Sequence, residues 1–85
     1  MKLSTVVDTD QAQRIIDATG IPFTQTPYDQ WSLAHGFDTD PGDEHQTHLE
    51  YTGAPVAPAQ LITLKSFVDS WTATGTAEEM SHTRV

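Results

Sequence analysis

The sequence predicts an α+β domain: a small antiparallel sheet with two helices packed on one face, in the order β-α-β-β-α. Three stretches carry the prediction. Residues 57–75 repeat their large apolar side chains at helical spacing. Residues 31–37 and 45–51 alternate on a period of two about a Pro-Gly turn. Residues 3–20 run from a β-branched segment into a helical pattern with a start and a stop signal.

Taken in order, 3–7 contain the β-branched run Thr5, Val6 and Val7, long enough for one strand and too short for a helix, which is placed at a sheet edge. Asp8 followed three positions later by Gln11 has the form of a reciprocal helix cap, so a helix starts here. Ala12, Ile15, Ile16 and Thr19 share one face of it, Asp10 sits at the positive end of its dipole, and Gly20 supplies the stop. Pro22 pushes Ile21 out of the α region, so 21–23 leave in extended form, with Ile21 and Phe23 closing one side of the core. Residues 24–30, polar and interrupted by Pro27, read as a turn.

In 31–37 and 45–51 large and small side chains alternate, and Pro41-Gly42 suits the central positions of a type II turn. A hairpin symmetric about that turn pairs Trp31 with Tyr51, Leu33 with Leu49, His35 with Thr47 and Phe37 with His45 on one face. Ser32, Ala34, Gly36, Gln46, His48 and Glu50 then take the solvated face. A connector stiffened by Pro55 leads into the 57–75 helix, with Pro58 in its first turn and Gly75 just past its end. Leu61, Leu64, Phe67, Val68 and Trp71 fall within an arc of about 120°. That stripe is expected to roof Trp31, Leu33, Leu49 and Tyr51, while Ile62 projects to the polar side. The domain is assigned to 1–75, and 76–85 to a C-terminal tail that is flexible unless a partner holds it.

Composition narrows the function more by exclusion than by motif. The net charge is −8, with 4 basic against 12 acidic residues in 85, which argues against direct binding to a phosphate backbone. There are no cysteines, so disulfides, thiol nucleophiles and thiolate metal sites are excluded. The start turns polar before a signal-peptide core could develop, and no apolar run reaches a membrane span, so the expected location is cytoplasmic. Leu, Ile, Val and Phe make up 17 of 85 residues, and the expected fold is marginal alone or reinforced by self-association or a partner.

The residues with chemistry in them are Asp38, Asp40, Asp43 and Glu44, four carboxylates in seven residues. Against a calcium loop of the EF-hand kind the spacing fails: counted from Asp38, the sixth position is Asp43 where glycine is required, and the twelfth is Leu49 where glutamate is required. His35 and His45 share a hairpin face and, with Asp38 or Glu44, form the alternative reading as a His/Asp metal site; His45 and His48, three apart on a strand, point to opposite faces. Ser32, His48 and Glu50 share the outer face but lack an oxyanion hole, a phosphate loop or a cofactor fingerprint, so no enzyme and no cofactor is expected. The expectation is a non-enzymatic, acidic protein-binding module, an adaptor, inhibitor or assembly subunit that docks on a larger protein with a basic surface. Homo-oligomerisation is a second option. Asp38, Asp40, Asp43, Glu44, Ile62 and Met80 are the partner-binding candidates, with Tyr28 and Val56 beside Ile62. An alternative use of the same carboxylates is to mimic nucleic acid and inhibit a nuclease or repressor, a device of small phage-encoded inhibitors. The ending Thr83-Arg84-Val85 also fits the Thr-x-Val pattern that PDZ domains capture.

Overall fold

The computed structural model describes residues 1–75 and 80–83, with side chains through Gly75. The elements are β1 (Lys2–Asp8), α1 (Thr9–Thr19), β2 (Thr24–Pro27), α2 (Tyr28–Ala34), a 3₁₀ turn (Asp43–His45), β3 (Gln46–Thr52), α3 (Pro58–Phe67), β4 (Ser70–Thr74) and β5 (Met80–Thr83). The strands form one sheet in the order β2-β3-β1-β4-β5, every neighbouring pair antiparallel. β3 therefore lies between the parallel strands β1 and β2, and β1 between β3 and β4. These are two interleaved split βαβ units, the ferredoxin-like connectivity, with α2 and β5 added.

The fold class is the one expected, an α+β sandwich with α1 and α3 on one face. Along β1, Leu3, Thr5 and Val7 point inward and pair in register with Tyr51, Leu49 and Thr47 of β3. Ala73 and Trp71 of β4 join them on that face, and Ile15 of α1 and Leu64 of α3 close over it. Leu3, Ile15, Ile21, Leu49 and Leu64 are fully buried. The start and stop of α1 fall where the sequence puts them: Asp8 precedes the helix and Gly20, at φ 68°, returns its N–H to Ile16 O at 2.9 Å. The Gln60 side chain ties the two helices together, accepting from Ala57 N–H at 2.8 Å and donating to Thr19 O at 3.1 Å. One residue thus satisfies an orphan donor of α3 and an orphan acceptor of α1.

Four expectations are corrected. First, 31–37 do not form a strand. Tyr28–Ala34 is a helix, because Tyr28, Trp31 and His35 recur at helical spacing and stack on one another, a stronger constraint than the large/small alternation. The hairpin about Pro41-Gly42 is therefore absent, and Leu33 lies 66% exposed instead of facing Leu49. Second, β1 is central and not an edge: its seven residues pair with all of β3 and it also pairs with β4. Third, 24–27, read as a turn, form an edge strand, with Pro27 at its end, where a missing donor costs least. Fourth, the last helix stops at Phe67. Val68 is extended (φ −119°, ψ 148°), and Ser70–Thr74 continues as a strand whose Trp71 and Ala73 are buried on a period of two. Val68 and Trp71 reach the core as expected, but from a strand and its approach.

The segment set apart as a tail supplies β5, in which Trp71 pairs with His82 and Ala73 with Met80. The Met80 side chain and the ending Arg84-Val85 lie outside the described residues.

Candidate functional site

The acidic stretch is a surface loop that leads into β3. Asp43 spends its carboxylate locally, accepting Asp40 N–H at 2.9 Å, and Glu44 lies 3.5 Å from the His45 imidazole. Asp38 and Asp40 are exposed. Because α1 begins where β1 ends, and Asp8 pairs with Gln46 at the start of β3, two acids of the α1 start come to the same place as the loop. Asp8, Asp10 and Glu44 line one shallow depression with Thr9 and His45. Thr9 Oγ1 and Thr47 Oγ1, 2.9 Å apart, hold the two segments together. This end of the sheet is the negative end of the described molecule.

Asp8 is also the wall of a second cleft, about 210 Å³, which opens beside the end of α3. Phe67, 43% exposed, is the apolar surface there, with Asp8, Gln11, Gln46 and Asp69 around it in a lining that is otherwise mostly polar. Phe67 is out in solvent because α3 stops under it: Val68 turns inward as extended chain and takes the core position a continuing helix would have shared. Sequence reasoning missed this cleft. Its signal is the β-branched and aromatic run after Phe67, which favours a strand and leaves Phe67 as the last helical residue.

Ile62 is 70% exposed on α3, and beside it Pro58, Leu61, Lys65 and Trp71 form a groove of about 260 Å³ with an almost wholly apolar lining. The structure thus gives Ile62 an apolar setting but not the one expected. Val56 packs against the core, and Tyr28 lies on the opposite face of the sheet. Ile62 and the 38–44 carboxylates are not brought together; they sit on separate elements that share no cleft.

The geometry required for the His/Asp metal reading does not exist, since His35 ends a helix and His45 ends the 3₁₀ turn. Among the described residues no group of three or more His, Asp or Glu side chains is placed to hold a metal ion. His35 and His48 instead lie against Trp31, at ring-centroid distances of 4.2 and 4.5 Å and near-parallel. Tyr28 and Phe37 stack around the same indole at 5.6 and 6.0 Å. Burial holds the His48 pKa below its ordinary value; Glu50 opposes that shift, and His35 and Lys2 add to it. The Lys2 ammonium, 2.9 Å from Glu50 and hydrogen-bonded to it, holds the Glu50 carboxyl below the usual range. Ser32 is buried on α2.

Among the described residues no helix is long and apolar enough to cross a membrane. Comparison with protein-family models, curated proteins and solved structures finds no match, so the functional reading rests on the chemistry of the chain itself.

Proposed function

We propose that the protein is a non-enzymatic acidic docking module that binds a basic surface of a larger protein. The observation that supports this reading is the cleft at the negative end, where exposed Phe67 lies beside Asp8 and next to the depression formed by Asp8, Asp10 and Glu44. A lysine or arginine has the matching anatomy: its methylene stem covers apolar surface while its cationic head stays at the carboxylates. The exposed Asp38 and Asp40 extend the same field and steer encounter with a positive partner. The Ile62 groove is a second apolar contact of the same module, reached by a different part of the partner.

The test is capture from the native source with the wild-type chain and two variants. Asp8→Asn/Asp38→Asn/Asp40→Asn/Glu44→Gln and Phe67→Ser should each lose the protein that wild type retains, and retention by wild type should weaken steeply between about 0.05 and 0.5 M salt. Retention by both variants, or indifference to salt, overturns the reading. A partner that a DNA duplex displaces would reassign the carboxylates to nucleic-acid mimicry.

A further inference from the structure

His48 points to the side of the sheet opposite the hydrophobic core, where its strand neighbours Gln46 and Glu50 are half-buried and Val6 beside it on β1 is exposed. His48 is nonetheless only 6% exposed, because α2 lies over it with Trp31 on its ring. The helix itself is weakly held. It has seven residues, follows Pro27 without a side-chain cap, and buries only Ser32. The Trp31 stack is its main anchor to β3.

We propose that this stack is a pH-operated clasp: α2 rests on the sheet while His48 is neutral, and lifts from it, with the sheet and its core still folded, when His48 takes a proton.

The charged groups around His48 decide the sign. From β3 comes Glu50, which favours the imidazolium, but its carboxylate is engaged by Lys2 of β1, itself a cation. From α2 comes His35, stacked on the same indole, with Tyr28 also against it; Asp29 turns its carboxylate to Gln30 N–H. The 3₁₀ turn that packs on α2 carries Asp43 and Glu44, engaged with Asp40 N–H and with His45. The register neighbours Val6 and Thr26 are uncharged. An imidazolium is attracted to an indole face, yet burial penalises the charged form of His48, and His35, stacked on the same indole, adds to that penalty. The docked state therefore holds His48 below its ordinary 6.5 while the lifted state does not. The lifted state binds more protons, so docking is most favoured above about pH 6.5 and the docked-to-lifted ratio falls as pH drops, by at most about tenfold per pH unit for one proton, until the docked-state pKa is passed.

The two tryptophans make the test, since Trp31 reports α2 and Trp71 reports the core. Indole N–H resonances are followed by NMR from about pH 7.5 to about pH 5. Trp31 should move toward a solvent-exposed position while Trp71 and the core methyl resonances of Ile15 and Leu64 hold still. His48→Phe, or His48→Gln should that variant not fold, should keep Trp31 fixed over the whole range. His35→Gln should keep the transition and bring its midpoint nearer 6.5. Trp31 fixed in the wild type, Trp31 and Trp71 moving together, or a transition that survives loss of the imidazole would each overturn the clasp.

Discussion

At Gly53 one missing methyl group decides where Tyr51 can lie. A Cβ built there would stand 2.8 Å from Tyr51 Oη and 3.1 Å from Cζ, closer than side chains tolerate. The backbone at Gly53 is not in the left-handed region, so space and not conformation requires glycine. The phenol uses that space to donate to Ala54 O at 2.6 Å, while Gly53 and Met1 exchange backbone hydrogen bonds of 3.0 and 2.8 Å that extend the β1–β3 pairing. Gly53→Ala should push the ring off its acceptor and cost about 1–3 kcal/mol by overpacking. The cost is checked by urea unfolding, and a double-mutant cycle identifies its source. On a Tyr51→Phe background the clashing oxygen is gone, and the penalty of Gly53→Ala should shrink. An equal penalty on both backgrounds would place the strain elsewhere.

At the scale of elements, α2 and β3 give the observed fold a mutational signature that the hairpin would not. In a hairpin Leu33 and Leu49 are cross-strand partners and their truncations cost comparable amounts. In the structure Leu49 is fully buried between β1 and the helices, and Leu33 is on the solvent side of α2. Leu49→Ala should cost about 2–5 kcal/mol, and Leu33→Ala should stay within about 0.5 kcal/mol, both read from denaturant midpoints. The same pair shows what the sequence made legible. β1, α1 and the Leu49 and Leu64 positions were readable, because in each case propensity, periodicity and end signals agree. The 31–37 stretch was not, because Trp31, Leu33, His35 and Phe37 alternate on a period of two while Tyr28, Trp31 and His35 also fit a helical one. Stacking on His48, seventeen positions from Trp31 along the chain, settles the choice, and a non-local contact of that kind leaves no local trace. The end of α3 was hidden differently. Val68 and Trp71 fit the apolar stripe of a helix and are both buried in the structure, Val68 on the extended approach and Trp71 on β4, so the wheel read a longer helix where the β-branched Thr72 and Thr74 extend a strand. Asp8 was legible only as a cap; that it also walls the Phe67 cleft follows from strand order alone.

For the molecule as a whole, a net charge of −8 on 85 residues is a cost to folding, since like charges gathered at one end of a sheet repel in the compact state more than in an open chain. Some of these acids offset the cost by structural work: Asp10 lies in the first turn of α1, and Asp43 holds its own loop. Asp8, Asp38 and Glu44 have no such role that an amide could not fill, since Asp8 precedes α1 without a side-chain cap bond and asparagine suits that position equally well. Asp8→Asn/Asp38→Asn/Glu44→Gln should therefore leave the melting temperature of the isolated protein unchanged or raise it at low ionic strength. The gain should fade as salt screens the remaining charge over a Debye length of about 8–10 Å. Thermal melts of wild type and variant at low and high salt measure this directly. A higher melting temperature combined with lost partner capture separates docking from folding, because it means the chain keeps carboxylates that its own stability would favour losing. A lower melting temperature for the variant would make those same acids part of the scaffold.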